Sequence, residues 1–205
     1  MKVFMFVLFM SFGMLNAQKV VKKAVQNPET SNLLIDANDC YQIDLTTTSA
    51  KDIVIEAFMD GEYKNDLLIK IEEDGPTIAV SAGFHPNFIK PNDKLSAHKV
   101  ISIALKVQLP KNMKVNLFGA NANVYATGNY EDIRVTLDDG NCNFNTIMGM
   151  ASATTQSGDI YVYSNGAIIE TNTNFGLISN NGIPKGDNYF KLTTTKGNIY
   201  LRKTE

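Results

Sequence analysis

Several residue types that enzymes and nucleic-acid-binding proteins commonly use are scarce in this sequence. Its 205 residues include two histidines, two cysteines and no tryptophan. Acidic and basic side chains nearly balance, at 21 and 19, whereas nucleic-acid-binding domains usually carry a clustered excess of basic residues. This balance excludes nucleic acid from the expected partners, and the chain length suits one domain of moderate size.

The sequence also lacks the short motifs of common catalytic and nucleotide-binding sites. It contains no Gly-x-Ser-x-Gly nucleophile motif, no P-loop and no glycine-rich dinucleotide-binding turn. His85 and His98 stand 13 residues apart without a cluster of cysteines or carboxylates of ligand spacing, so they do not predict a metal site. We therefore predict no catalytic residue, no cofactor and no metal, in a protein that is not an enzyme.

Long apolar runs are absent after the first 17 residues. Lys2, the apolar stretch 3–10 and the Asn16-Ala17 pair are typical of a signal peptide (residues 1–17) that is cleaved after Ala17. That run is too short to span a bilayer comfortably, and no transmembrane segment is predicted in the mature chain. The next residue is Gln18 rather than the cysteine of a lipid-anchored precursor. These features predict an exported protein, periplasmic, surface-located or secreted, that is not a lipoprotein.

Export would place the two cysteines in an oxidising compartment, where they could form a disulfide. Cys40 and Cys142 are 102 residues apart, and the sequence does not bring them together. Two buried free thiols are the favoured interpretation, because an unpaired cysteine behaves as a small apolar residue. Pairing of the two cysteines stays open at this stage.

Alternation of apolar and polar residues, which is typical of strands, is abundant. In the C-terminal half it repeats around Ala122, Gly140, Gly158 and Gly176, spaced 18 residues apart, and around Gly197, 21 residues later. Three alternate positions before each centre and two after it are predicted to point inward. A glycine at the centre permits a tight bend without steric cost.

A fixed period near 20 residues is the sequence signature of a solenoid, in which each unit pairs with its neighbours. We predict an all-β, single-domain, β-helix-like solenoid over residues 33–203, with two-strand units of about 18 residues stacked one after another. An antiparallel β-sandwich is the alternative. Residues 18–32 lack a sustained period and are predicted to be a loose N-terminal extension or cap.

Two groups of residues are candidates for a binding surface. The long loop 83–97 interrupts the alternation and holds Phe84, His85 and Phe88, either as an aromatic tip or folded back over the core. The second group would form an outward stripe suited to sugar or peptide contact, or else ordinary cross-strand packing: Tyr125, Tyr161, Tyr163 and Tyr200. Asp159 is predicted to be a turn residue that bonds to local backbone N–H groups.

Two repeats and one strand end resemble a known family. The repeats are Ala-Thr-Thr-Gln-Ser-Gly-Asp-Ile-Tyr-Val and Leu-Thr-Thr-Thr-Lys-Gly-Asn-Ile-Tyr-Leu, and Leu-Pro-Lys-Asn closes the long strand before the repeats. They resemble the adhesin domains of the DUF4097 type, which are common in exported proteins of Bacteroidota. The resemblance covers residues 33–203 and is sharpest over 105–203. It implies a β-solenoid, a surface or envelope location and no catalytic motif.

Together these features predict a non-catalytic, exported, adhesin-like module that presents a solenoid face to an unidentified envelope or extracellular protein or glycan. Two alternatives come from other classes of function. One is a polysaccharide-acting enzyme, in which acidic side chains would cluster in one groove. The other is an envelope-stress or assembly factor without a ligand of its own. A flat face rich in tyrosine and asparagine would favour binding over hydrolysis.

Overall fold

The structure, a computed structural model, describes residues 18–89 and 101–204. The predicted signal peptide, His98 and the part of the predicted loop after residue 89 lie outside these ranges.

Within the described ranges the chain is all-β, as predicted, apart from a short 3₁₀-helix at Lys64–Asp66. No helix in the described ranges is long and apolar enough to cross a bilayer. The strands are β1 (Lys19–Val25), β2 (Asn32–Asp36), β3 (Gln42–Thr48), β4 (Ile53–Gly61), β5 (Leu67–Asp74), β6 (Thr77–Phe84), β7 (Ile101–Pro110), β8 (Met113–Gly119), β9 (Asn123–Leu137), β10 (Cys142–Thr155), β11 (Ile160–Ser164), β12 (Ala167–Thr173), β13 (Ile178–Asn181), β14 (Asn188–Thr194) and β15 (Ile199–Lys203).

All of these strands belong to one hydrogen-bonded network with two branches. The first branch has the order β1-β4-β7-β3-β9-β10-β11-β15-β13, and the second has β5-β6-β2-β8-β9-β10-β14-β12. The long strands β9 and β10 belong to both, because their first halves pair in the first branch and their second halves in the second. Antiparallel pairing is confined to β1–β4, β4–β7 and β5–β6. The predominance of parallel pairs contradicts the antiparallel alternative.

The two branches pack against each other around one apolar core. Alternate residues of strands in both branches are buried in a single cluster. Phe144 of the first branch faces Phe190 of the second across this core, with ring centroids 6.4 Å apart. The inward positions predicted from the repeat are buried in most units, as at Ile133 and Leu192, because strand side chains alternate between the two faces.

The predicted units do not stack in the order of the sequence. The last unit lies between the third and the fourth, because β14 pairs with β10 and β15 pairs with β11. The fourth unit is displaced to the edge, where β12 and β13 pair with β14 and β15. The prediction of successive stacking is therefore wrong at this point. The predicted inward positions of the fourth unit are half-buried or exposed as a result: Ile169, Thr171, Thr173, Ile178 and Asn180.

The residue just after each centre is hydrogen-bonded to its counterpart in the next unit of the stack, and this series of hydrogen bonds explains the order of the units. The Oδ1 atom of Asn123 accepts a hydrogen bond from Asn141 Nδ2 at 3.2 Å, and Asn141 Oδ1 accepts the backbone N–H of Asp159 at 2.9 Å. Asp159 Oδ1 accepts the N–H of Asn198 at 2.7 Å, and Asn198 Oδ1 accepts the N–H of Leu177 at 2.9 Å. We call these residues the corner ladder. Leu177 offers no side-chain oxygen to a further unit, so the fourth unit can only end the ladder.

The ladder also corrects the interpretation of Asp159. Its carboxylate does not bond to the local turn: it accepts both the N–H and the Nδ2 group of Asn198, 39 residues away. The remaining oxygen accepts the Tyr161 hydroxyl at 3.2 Å. Asp159 is thus a contact between units that are remote in sequence.

Threonines three residues before some centres make a second set of contacts between units. The Thr194 hydroxyl accepts the N–H of Gly197 at 3.0 Å and donates to the carbonyl of Gly158 at 3.4 Å. Thr173 likewise accepts the N–H of Gly176 at 3.0 Å and donates to the carbonyl of Gly197 at 3.1 Å. A buried hydroxyl with these partners escapes the desolvation cost of an unpaired one.

The N-terminal segment is more ordered than its sequence predicts. Residues 19–25, predicted to be a loose extension or cap, form the edge strand β1 and pair with β4 over their whole length. Val21 and Val25 pack against the core. The alternation of β1 is hard to recognise because lysines occupy its other inward positions, Lys19 and Lys23.

Candidate binding face

Three of the four predicted tyrosines lie in one row across the first branch. The strand registers place Tyr125 beside Asn143, Asn143 beside Tyr161, and Tyr161 beside Tyr200. We call this row of four side chains the tyrosine rung. The fourth predicted tyrosine, Tyr163, lies one row further along β11, beside Arg202.

The corner ladder positions the tyrosine rung. Each rung residue follows a ladder residue by two positions in the sequence. Side chains two residues apart on a strand share a face, and neighbouring strands lie about 4.8 Å apart. Because the ladder fixes where each strand begins relative to its neighbour, it also holds the rung side chains next to one another.

Tyr161 and Tyr200 stack on each other within the rung. Their ring centroids are 4.9 Å apart with an angle of 14° between the planes, so each ring covers one face of the other. Burial, followed by the adjacent Asp159 carboxylate, raises the pKa of Tyr161, which keeps its hydroxyl protonated. Tyr125 is 45% exposed. The rung therefore presents ring edges, hydroxyl groups and one amide to solvent.

The same row continues on the other side of Tyr125 as alternating charges. The registers place Asp44 beside Tyr125, followed by Lys106, Glu56 and Lys22. The hydrogen bond from Lys22 is the largest of the effects that lower the pKa of Glu56, and their charged atoms are 2.6 Å apart. The outward face of the first branch is thus charged but balanced near β1 and uncharged at the rung.

The other predicted group lies in the second branch. Phe88 stacks on Phe84, at the end of β6, with centroids 4.3 Å apart and planes 8° apart, and Tyr63 meets both rings edge-on. Phe84 also packs against the core. His85 is exposed, and its Nδ1 accepts the N–H of Asn87 at 3.2 Å. The two phenylalanines thus fold back on the domain, and the structure does not place this group in the row of tyrosines.

A shallow groove of about 420 Å³ on the outward face of the second branch had no counterpart in the predictions. The short side chains of Ser152 and Thr154 lie between Arg134 of β9 and Lys191 of β14. Asp132 binds Arg134, with Oδ2 at 2.6 Å from Nη2 and 2.8 Å from Nε. The alternation of apolar and polar residues indicates that these side chains point outward. It does not indicate that β14 lies beside β10, and the groove depends on that pairing.

Neither cysteine has the surroundings of a reactive or metal-binding thiol. Cys40 and Cys142 are both buried and unpaired, which agrees with the favoured interpretation. Burial, with smaller effects from Asp39 and Asp36, raises the pKa of Cys40 to about 12, and burial raises the pKa of Cys142 as well. In residues 18–89 and 101–204 no three His, Cys, Asp or Glu side chains are grouped as a metal site requires.

We expect neither thiol to react with 5,5′-dithiobis(2-nitrobenzoic acid) in the folded protein, because the thiolate is the reactive form and both groups are buried and protonated. In guanidinium chloride both should react at once. The absorbance of the released thionitrobenzoate measures this difference. A non-reduced mass two hydrogens below that of the free chain would reveal a disulfide and contradict the expectation.

Comparisons with known proteins give a fold and no family. No protein-family profile matches the chain, and no curated protein matches it at a significant level. A solved structure described as a "putative cell adhesion protein" from Clostridium sporogenes superposes with a TM-score of 0.67 at 15% identity, covering 92% of this chain and 100% of the other. A "putative adhesin" from Bacteroides fragilis covers 94% and 100%, at 12% identity and a TM-score of 0.39. At this identity the Clostridium structure establishes a shared fold alone.

Proposed function

We propose that this chain is an exported, non-catalytic β-solenoid of the adhesin-like DUF4097 type, which binds a protein partner at the envelope or outside the cell. The tyrosine rung and the neighbouring Tyr163 and Arg202 form the contact face. The single observation that carries the proposal is the rung itself: a row of three tyrosines and one asparagine held in register on an outward sheet face.

The solenoid interpretation is supported by contacts that repeat at each corner. An added Cβ on Gly140 would lie 1.9 Å from the carbonyl oxygen of Ala122, and one on Gly158 would lie 1.9 Å from that of Gly140. An added Cβ on Gly197 would likewise lie 2.1 Å from the carbonyl oxygen of Gly158. Stacked corners, parallel strands and the corner ladder are what coils of a solenoid would produce. Export is supported by the sequence features of residues 1–17.

The geometry of the rung favours a protein over a glycan. A sugar-stacking site needs an exposed aromatic face, and the stacking of Tyr161 on Tyr200 leaves at most one face of each of these two rings for it. Tyrosine edges and hydroxyls, together with Arg202, are the side-chain types that are enriched at protein interfaces. The Clostridium sporogenes structure, described as a "putative cell adhesion protein", has the same fold and accords with this proposal.

Hydrolysis of polysaccharides has less support. The outward groove of the second branch contains one carboxylate among its lining side chains, that of Asp132, and it is held by Arg134. Glycoside hydrolysis ordinarily requires a pair of carboxylates that flank the scissile bond.

A second recess on the outward face of the second branch is lined by Asp36 and Glu72. Glu72 is paired with Lys70 at 2.8 Å, and Asp36 accepts the backbone N–H and the Nδ2 group of Asn38. Because the carboxylates of both recesses are bound by neighbouring groups, a binding role is the better proposal.

The test compares two double variants in a capture experiment. Tyr125→Ala with Tyr200→Ala removes the outer side chains of the rung, and Phe118→Ala with Met150→Ala removes exposed side chains of similar size from the second branch. The purified protein is immobilised, binders from envelope and extracellular fractions are identified, and each binder is then titrated against all three forms. A glycan array is probed in parallel.

We expect the rung variant to bind the identified protein at least about tenfold more weakly, because interface tyrosines are common hot spots, and the second-branch variant to bind as the wild type does. Equal affinity of all three forms would refute the contact face. Binding to glycans that the rung variant loses would replace protein by glycan as the ligand class. Degradation of a glycan by the purified protein would overturn the non-catalytic assignment.

A further inference from the structure

The two ends of the stacked strands are built differently. At one end lie the edge strands β1 and β5, and at the other lie β12 and β13. We call the second end, formed by residues 167–181, the open end. An edge strand presents unpaired backbone N–H and C=O groups, and proteins usually protect such edges with charges or coverings.

The end formed by β1 and β5 is protected by two inward-pointing lysines. Lys19 Nζ donates to the carbonyl oxygens of Leu67 at 2.7 Å and Asn65 at 3.2 Å, and Lys23 Nζ donates to that of Ile69 at 3.2 Å. The lysines of β1 therefore reach across the end and occupy backbone acceptors along β5. A further strand could pair there only by displacing these ammonium groups, which is a known device against edge-to-edge association.

The open end has no such protection. Strands β12 and β13 pair on their inner sides with β14 and β15, and no described strand pairs with their outer sides. At the corner between them Phe175 is 80% exposed and Leu177 is 76% exposed, and Ile178 at the start of β13 is 46% exposed. Neighbouring exposed apolar side chains of this kind mark association surfaces.

Charge and geometry together indicate the occupant. Glu170 is the one charged residue in 167–181, so the end carries a single charge and offers little to a strongly charged partner. It presents two edge strands from the two branches at once, and a single extended peptide could pair with only one. The same end of a second copy offers two edges at the matching separation.

We propose that two copies of this chain associate through their open ends about a two-fold axis, with β12 and β13 of each copy pairing antiparallel to edge strands of the other. Phe175 and Leu177 of both copies are buried in this contact. A head-to-tail arrangement would propagate into a filament, but the lysines of β1 oppose it at the other end. The contact therefore closes at two copies. This inference does not rest on the proposed binding face.

The test reproduces the natural lysine protection at the open end. Thr171→Lys with Asn180→Lys places two cations at half-exposed or exposed positions of β12 and β13, where they should not prevent folding. Thr136→Lys with Asn145→Lys adds the same charge at exposed positions away from the end. Sedimentation velocity over a concentration series gives the mass of each form, and circular dichroism verifies the fold.

We expect a dimer for the wild type and for the Thr136/Asn145 variant, with dissociation on dilution as mass action requires, and a folded monomer for the Thr171/Asn180 variant. A spin label at Asn174→Cys should give a short distance between the two copies, and one at Lys70→Cys a much longer one. A wild type that is monomeric at the highest concentration would overturn the proposal. So would a dimer that survives the open-end lysines, or a shorter distance from Lys70.

Discussion

Substitution of Gly158 by alanine is expected to destabilise the protein by more than about 3 kcal/mol, which places it among the most damaging single changes. An ideal Cβ at this position lies 1.9 Å from the carbonyl oxygen of Gly140 and 2.6 Å from its carbonyl carbon. Both are backbone atoms of a neighbouring corner, and the hydrogen bond that the Asp159 N–H donates to Asn141 Oδ1 holds the two corners together. Neither corner can retreat without breaking that contact. The free energy of unfolding in guanidinium chloride, followed by circular dichroism, measures the loss.

Gly166→Ala is the matched control for this substitution. Its added Cβ would meet the Cα of Gly186 at 3.4 Å and no heavy atom closer than that, which is ordinary van der Waals contact. We expect this variant to remain within about 1 kcal/mol of the wild type. Equal stability of the Gly158→Ala and Gly166→Ala variants would show that adjacent corners are not in backbone contact, and it would remove a main support of the solenoid interpretation.

The sequence predicted the all-β class and most of the core because those features depend on short-range pattern. Val115 and Leu117, or Ile133 and Val135, alternate with polar residues, and alternation alone decides which side of a strand is buried. The glycine at four of the five centres was also recognisable, although its reason became clear only in the structure. The reason is close approach of two backbones, as at Gly158, rather than a positive φ angle, since the glycines with positive φ lie elsewhere, for example at Gly128 and Gly149.

The order of the units could not be predicted from the same pattern. All units offer similar inward side chains, and their pairing is decided by contacts that span 39 residues, such as that between Asp159 and Asn198. One local signal was present. Leu177 stands where other units have asparagine or aspartate, so this unit could receive a ladder hydrogen bond and could not pass one on. The longer segment 181–188 then connects the edge unit to the unit inside it.

The candidate face was predicted in part, for similar reasons. The spacing of 36 residues between Tyr125 and Tyr161 equals two repeats and places them in one row. Tyr200 lies beside Tyr161 only because β15 pairs with β11, which the repeat pattern does not specify. Tyr163 shares the face but not the row, because residues two apart on one strand lie about 7 Å apart along it. The groove near Lys191 was not predicted because it forms only where the last unit, β14 and β15, lies between the third and the fourth units.

A matched pair of isoleucines tests whether the last unit, β14 and β15, lies between the third and the fourth units. Ile199 and Ile178 each follow their centre by two residues, and they are register partners on β15 and β13. Ile199 is fully buried, whereas Ile178 is 46% exposed. We expect Ile199→Ala to lower the free energy of unfolding by about 2–5 kcal/mol, as for other buried isoleucines that leave a cavity. In the dissociated single chain, at concentrations where no dimer forms, Ile178→Ala should lower it by less than about 1 kcal/mol, because little packing is lost at an exposed site.

Stacking of the units in sequence order would reverse the expected ranking of the two losses in unfolding free energy. If the units were stacked successively, Ile178 would lie between two units and Ile199 would lie at the end. The larger loss would then fall on Ile178→Ala. The two substitutions remove the same atoms from equivalent places in two repeats, so differences in side-chain chemistry and strand propensity largely cancel. Equal losses, or a larger loss for Ile178→Ala, would therefore contradict the insertion of β14 and β15, and with it the assignment of β12 and β13 to the open end.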